Sequence, residues 1–327
     1  MHRFDAYSLG ATLYMPVLHP RVADILHGRL PPPAASIVLC LEDALAAQDV
    51  DDGLRCLDQL MSDLPQRLPV RTFLRPRNRE MAYALSARAA GTAIEGLVAP
   101  KVVPETLADW LELTREGGLS VMPTLESGCF FDPAKVCAIR DILDDHPQDT
   151  ARVAAIRLGG NDLLSSLALR RERGITSWEG PLSWVISMAS SILIAAGYPV
   201  AAPVYDVIDD PETLQRETLR DVAAGFISKT VIHPAQTPII NRAFQVLRED
   251  VEHARAALDS NAQAVFKRDG MMCEPATHRA WAQRTLARKE VFGVVGEVAT
   301  TPTVTASEAF ISNQHHPLGA TSYTPTS

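Results

Sequence analysis

The chain has 327 residues, 46% of them hydrophobic and 21% charged, a globular composition with enough length for a large core. Its net charge of −8 argues against a basic nucleic-acid-binding face, and an anionic substrate would need local Arg, Lys or metal to overcome the overall field. The five cysteines (Cys40, Cys56, Cys129, Cys137 and Cys273) are irregularly spaced and form no Cys-x-x-Cys pair. With no secretory signal or membrane-length apolar stretch, this is the pattern of a cytoplasmic protein with reduced thiols and no membrane partner.

In chain order, residues 11–17 read as a first strand, followed by a helix to about Leu26 and a break at Pro31-Pro-Pro33. Ser36-Ile-Val-Leu-Cys-Leu41 is apolar throughout, as a strand buried on both faces must be, and it ends on Glu42-Asp43. A helix from Val50 to Met61 carries its leucines on one stripe. A third strand, Val70 to Leu74, ends on Arg75-Pro-Arg77-Asn78, and the helix after it runs to about Ala90. A fourth strand, from Ile94, ends on Pro100-Lys101. Pro104-Glu105 opens a helix that Gly117-Gly118 closes.

The fifth strand, Leu119-Ser-Val-Met-Pro-Thr-Leu-Glu126, ends on a carboxylate before a Ser-Gly break. Asp132-Pro133 caps the next helix, to about Leu143. The sixth strand, Val153-Ala-Ala-Ile-Arg-Leu-Gly-Gly-Asn-Asp162, again delivers an acid at its end. Residues 164–180 read as loop or short helix, and Pro181 then opens a long apolar helix that Gly197 terminates. Strand seven, Val200 to Val204, ends on Tyr205-Asp206, and Asp210-Pro211 caps a helix to Ala224. Strand eight, Ser228 to Ile232, ends on His233-Pro234, with one helix expected from Pro238 to Asp259.

Eight strand–helix alternations predict a (β/α)8 barrel over residues 1–260. A helical appendage over 261–297 and a flexible tail over 298–327 would follow. In such a barrel catalytic side chains sit at the strand C-termini, and here those ends carry Glu42-Asp43, Arg75, Lys101, Glu126, Asp162, Asp206 and His233. Two apolar strands that each end on an acid suggest a hard-cation site at Glu126 and Asp162.

These pieces resemble the citrate lyase β-subunit group of the metal-dependent aldolase and citrate lyase superfamily. The resemblance is carried by Leu41-Glu42-Asp43-Ala44, Leu74-Arg75, Pro100-Lys101, Thr124-Leu-Glu126-Ser, Gly160-Asn-Asp162-Leu, Ile232-His233-Pro234-Ala-Gln236 and Asp269-Gly270-Met-Met. It spans about residues 11–290. The chain departs from the family at its first strand, which lacks the usual preceding Arg and following Pro-Gly. It departs also at Arg75-Pro-Arg77-Asn78, one residue longer than usual, and at Glu274, where the family has Asp. It is similar to a divergent, stand-alone branch.

The resemblance implies Mg²⁺ (or Mn²⁺) held by Glu126 and Asp162, with the remaining coordination from water or substrate. Gly160 and Asn161 would lie against the bound ligand. Arg75 would pair a substrate carboxylate and stabilise an enolate oxygen, or form a buried salt bridge with Glu42 or Asp43. Lys101 would bind substrate or neutralise Glu42. Glu42 and Asp43 would order metal-bound water or orient Arg75 and Lys101. Arg77 is expected to face solvent. Asp206 has a supporting or structural reading, His233 a base or packing reading. Glu274 stands where the family places an acid that takes part in protonation, often in a neighbouring subunit's site.

The implied activity is Mg²⁺-dependent cleavage of a carbon–carbon bond in a citryl-CoA-like hydroxyacyl thioester or hydroxy acid. It would be carried out by a homo-oligomer, trimer or hexamer. The alternatives are a 4-hydroxy-2-oxo acid aldolase, a malyl or citramalyl thioester lyase or hydrolase, and a non-catalytic barrel that binds a carboxylate ligand.

Overall fold

A computed structural model describes residues 6–297. The tail expected over 298–327 lies outside the described residues. The strands are β1 (Ala11–Pro16), β2 (Ser36–Cys40), β3 (Arg71–Arg75), β4 (Gly96–Ala99), β5 (Ser120–Leu125), β6 (Ile156–Leu158), β7 (Val200–Ala202) and β8 (Ser228–Val231). They form a closed parallel barrel in sequence order, in which β1 pairs with both β2 and β8. Every residue of β2 and β4 is buried, which is why these strands are apolar without alternation. The helices around the barrel are α1 (Val22–Leu26), α2 (Val50–Ser62), α3 (Arg79–Ala89), α4 (Pro104–Glu116), α5 (Pro133–Asp145), α6 (Pro147–Thr150), α7 (Gly160–Ser166), α8 (Leu182–Ala195), α9 (Pro211–Ala223) and α10 (Gln236–Phe244).

Two polar layers help to fix the barrel. Near the N-terminal ends of its strands, Thr12 Oγ1 lies between Ser36 Oγ (3.0 Å) and Ser228 Oγ (3.1 Å) and donates to one of them. Ser36 and Ser228 also donate to the carbonyls of Leu9 and Gly10, so these buried hydroxyls are satisfied. Outside the barrel, the fully buried Lys229 of β8 reaches Glu217 (2.8 Å) and Asp221 (2.7 Å) of α9, and Arg171 meets Glu217 at 2.9 Å. Burial pushes the Asp221 carboxyl up to about 6, against the pull of Lys229.

The single helix expected from Pro238 to Asp259 is two, α10 and α11 (Arg248–Leu258). The break has a physical cause. Gln245 is extended (ψ 154°), and Val246 spends both backbone groups on the C-terminal chain: its N–H donates to Gly293 O and its carbonyl accepts from Val295, each at 3.0 Å. After α11 come a hairpin, β9 (Phe266–Arg268) and β10 (Met271–Cys273), and a long helix, α12 (Pro275–Phe292). The sequence pattern does not predict the hairpin; its turn is Asp269-Gly270, both with positive φ (46° and 84°), the pattern of a tight two-residue hairpin. α11 packs against α12 and β10 through a cluster of Ala254, Ala257, Cys273 and Ala282. α12 closes on the N-terminal end of the barrel: Arg284 donates to Gly225 O just before β8, and Phe292 stacks on Phe244 at 4.9 Å between ring centres.

Candidate active site

The opposite end of the barrel holds a cavity of about 280 Å³, lined by residues at the C-terminal ends of the strands, among them Tyr14, Asp43, Arg75, Glu126, Arg157 and Asp162. Its organising group is the buried guanidinium of Arg75, the last residue of β3. Arg75 Nε donates to Glu42 Oε2 at 2.5 Å and Nη2 to Glu126 Oε1 at 3.1 Å, while Asp43 lies 3.7 Å away. The salt-bridge reading of Arg75 is therefore realised, and with Glu126 as well as with Glu42. Burial alone would lift the Glu42 carboxyl, but Arg75 and then Lys101, at 3.1 Å, hold it below the usual carboxylate range.

Glu126 follows β5 and is 3% exposed. Its Oε1 also accepts the backbone N–H of Lys101 at 2.7 Å. Lys101 adopts a left-handed conformation (φ 49°) that a side chain rarely takes, and it is held there just where its amide meets this carboxylate. Burial pushes Glu126 up to about 7; Arg75 and the Lys101 amide oppose the rise, and the negative charges of Asp162 and Glu42 add to it. Gly159 makes room for this acid. A Cβ on Gly159 would lie 2.3 Å from Glu126 Cβ and 2.5 Å from Oε2. The sixth strand stops at Leu158, earlier than expected, so Gly160, Asn161 and Asp162 lie in the first turn of α7 and still line the cavity. Asp43 lies at the rim with its side chain 64% exposed; partial burial and then Glu42 push its carboxyl up.

The other expected residues part ways with the cavity. Arg77 does not face solvent: its Nη2 donates to the carbonyls of Glu42 (3.1 Å) and Leu45 (2.7 Å), because the loop after β2 needs a donor to hold Glu42 in place. Asp206 pairs with Arg171 Nε at 3.0 Å. His233 accepts the Ala235 N–H at 3.2 Å, the packing alternative, while Gln236 ties the segment to Tyr205 O at 2.7 Å. Glu274 precedes α12, where its carboxylate takes Thr277 Oγ1 at 3.3 Å, and it does not line this cavity. Sequence reasoning misses Arg157 and Tyr14, yet both line the cavity. The signal for Arg157 is a lone cation inside an otherwise apolar strand.

Among the described residues no group of three or more His, Cys, Asp or Glu could hold a metal by itself. Glu126 and Asp162 nevertheless fit a hard divalent ion of the Mg²⁺ type, which takes one or two carboxylates and fills its shell from water and substrate. Glu126 is a buried oxygen donor whose charge is resisted by burial and by Asp162 and Glu42, and a cation would relieve that resistance.

A family profile described as C-C bond lyase of the TIM-barrel fold matches residues 3–294. The chain is 25% identical over 294 residues to a (3S)-malyl-CoA thioesterase of Cereibacter sphaeroides, covering 88% of this chain and 96% of that one. The CitE protein of Mycobacterium tuberculosis, solved in complex with magnesium, acetoacetate and coenzyme A, superposes with a TM-score of 0.64 at 23% identity, over 86% of this chain and 98% of the other. RipC of Yersinia pestis superposes with a TM-score of 0.57 at 21% identity, over 75% and 99%.

Proposed function

Because the chain belongs to the C-C bond lyase family of the TIM-barrel fold and is a lyase-type enzyme, we propose that it cleaves a carbon–carbon bond in a hydroxyacyl-CoA thioester or a related hydroxy acid with Mg²⁺ held by Glu126 and Asp162. The observation that carries this reading is one cavity that gathers three carboxylates, Asp43, Glu126 and Asp162, and an Arg75 guanidinium already balanced by Glu42 and Glu126. The ion would polarise a substrate oxygen and neutralise charge. Mn²⁺ would suit the same oxygen donors.

The chain's own residues supply the rest. Asp43, at the rim with a raised carboxyl, accepts the substrate's hydroxyl proton. As that O–H bond breaks, the oxygen forms a carbonyl, the carbon–carbon bond cleaves and its electron pair becomes an enolate. Arg75 stabilises the negative oxygen; it is fixed before reaction by Glu42 and Glu126, so little reorganisation is needed. Lys101 holds Glu42 from the exposed side. Gly160 and Asn161 border the substrate. A cavity of about 280 Å³ suits the acid part of a substrate, which leaves a CoA group to lie along the loops outside. In a homo-oligomer, trimer or hexamer, Glu274 would enter the reaction through a neighbouring subunit's site.

A second reading, hydrolysis of the thioester, is favoured by the malyl-CoA thioesterase relatives. One experiment tests both. Wild type, Glu126→Gln, Asp162→Asn and Asp43→Asn are titrated with Mg²⁺ by calorimetry, then given hydroxyacyl-CoA thioesters and free hydroxy-oxo acids. Glu126→Gln and Asp162→Asn are expected to fold and to lose Mg²⁺ affinity by roughly 100-fold, at least what removing a supporting residue costs. Asp43→Asn keeps the affinity and loses turnover. An oxo acid among the products supports cleavage, and free CoA with an intact hydroxy acid supports hydrolysis. Unchanged Mg²⁺ affinity in both ligand variants would overturn the site.

A further inference from the structure

The two guanidinium groups of the cavity differ in their company. Arg75 meets three carboxylates, Glu42, Asp43 and Glu126. Arg157, on β6 and 1% exposed, makes no salt bridge with any carboxylate among the described residues. Its Nη2 donates to Thr230 Oγ1 at 2.5 Å, its Nη1 faces Met122 Sδ at 3.5 Å, and its guanidinium carbon lies 5.4 Å from the centre of the Tyr14 ring. Its Nε has no hydrogen-bond partner. Burial works against its charge and lowers its pKa. A guanidinium has five N–H donors, and a buried charge without a counter-charge costs several kcal/mol. An apolar side chain of similar size would serve the barrel better if packing were the only demand.

The strand register places this charge. The Arg157 backbone lies opposite Thr124, two residues before Glu126, roughly 7 Å back along the strand at 3.3 Å per residue. Thr124 Oγ1 is also buried without a hydrogen-bond partner and also lines the cavity. The cavity wall thus offers, beside the Glu126–Asp162 pair, a cation with an unused Nε–H and a hydroxyl without a hydrogen-bond partner.

We propose that Arg157, with Thr124, receives a second carboxylate, so that the cavity selects a short dicarboxylic oxo or hydroxy acid over a monocarboxylic one. The outer end of that ligand rests on the cation reading above; the inner end rests on Arg157 alone. The ligand's inner carboxylate would replace the missing counter-charge and accept the unused Nε–H in a charge-assisted hydrogen bond.

The test uses the full chain as wild type, Arg157→Met and Arg157→Lys, with two arms. In EDTA, thermal unfolding is followed with and without succinate: the wild-type Tm is expected to rise and that of Arg157→Met to stay fixed. With Mg²⁺, calorimetry compares oxaloacetate with pyruvate. Wild type is expected to prefer the dicarboxylate by about 10-fold or more, the scale of a charged hydrogen bond. Arg157→Met should bring the ratio close to one, and Arg157→Lys should keep part of it. The ligand-free Tm of Arg157→Met should equal or exceed that of wild type. An unchanged preference in Arg157→Met, or none in wild type, would overturn the proposal, as would a lower Tm with the preference intact. If Arg157→Met does not fold, the ratio in Arg157→Lys decides the matter: a reduced preference supports the proposal and an unchanged one overturns it. Loss of all Mg²⁺ dependence with the succinate effect still tied to Arg157 would sink the cation reading and leave Arg157 standing.

Discussion

Gly159 sets where Glu126 can be. Its missing side chain is filled by that carboxylate, so Gly159→Ala forces a Cβ to within 2.3 Å of Glu126 Cβ, closer than real Cβ atoms approach. The acid or the backbone must move. Overpacking of this kind costs about 1–3 kcal/mol, and here it also displaces a proposed metal ligand. Gly159→Ala is expected to lose Mg²⁺ affinity with a Tm drop of a few degrees; calorimetry and thermal unfolding read the two, and wild-type affinity in the variant would refute the coupling. At this scale the sequence is most legible where a residue contrasts with its surroundings. Glu126, Asp162 and Arg75 end apolar runs, and so they stand out. Arg157 and Lys229 contrast just as strongly, but a single charge inside a three- or four-residue strand does not reveal which face it takes. Lys229 points outward to Glu217 and Asp221, whereas Arg157 lines the cavity. Glu217 and Asp221 occupy what sequence alone would give to solvent, yet both are buried. Only the tertiary fold decides these cases.

Elements are legible in proportion to how local their causes are. Asp132 and Asp210 each cap a helix by accepting a backbone N–H, and the helices start where those residues predict; Asn78 caps α3 in the same way. The break between α10 and α11 is illegible because its cause is the distant chain at Gly293–Val295, which takes over the backbone bonds of Val246. The β9–β10 hairpin is obscured for a different reason: its strands are three residues each and do not alternate, although Asp269-Gly270 carries the turn signal. Asp210 shows what one local device contributes. Besides Thr213 N–H at 3.2 Å, it accepts Tyr205 Oη at 2.7 Å and Gly174 N–H at 3.0 Å. The Tyr205 hydroxyl, foremost among these, holds its carboxyl down at about 2. A depressed carboxyl stabilises the fold above its unfolded pKa of about 3.9, and the contribution is lost as pH falls towards 2. Asp210→Ala should therefore cost about 1 kcal/mol at neutral pH, the usual value of a cap, and the difference from wild type should shrink below about pH 4. Urea unfolding at pH 7 and pH 3 checks it; a gap that widened in acid would show that the carboxylate is not the cause.

At the scale of the whole molecule the two ends of the barrel carry different work. The strand C-termini hold the cavity, while the N-terminal ends are covered by α12 and the segment after it. Eight βα repeats make the barrel legible from periodicity, and the resemblance names its family. Neither says how the appendage attaches, because that depends on non-local packing. Nor does the overall charge of −8 reveal the site, where Arg75, Arg157 and Lys101 stand among the carboxylates of Glu42, Asp43, Glu126 and Asp162. The separation of ends makes a prediction. Phe292 is the last residue of α12; it stacks on Phe244 of α10 at an interplanar angle of 29° and approaches Gly10 before β1. Removing a buried ring of this kind costs about 3–5 kcal/mol, with the lower end expected for Phe292, which keeps 9% of its surface exposed. Phe292→Ala should lower the urea midpoint and speed amide exchange in α11 and α12, while Mg²⁺ affinity at the proposed Glu126–Asp162 site stays at the wild-type value. Exchange that quickened equally throughout the barrel strands would mean that the appendage and the barrel unfold as one unit, and a fall in Mg²⁺ affinity would mean that the seam and the cavity are coupled through the strands between them.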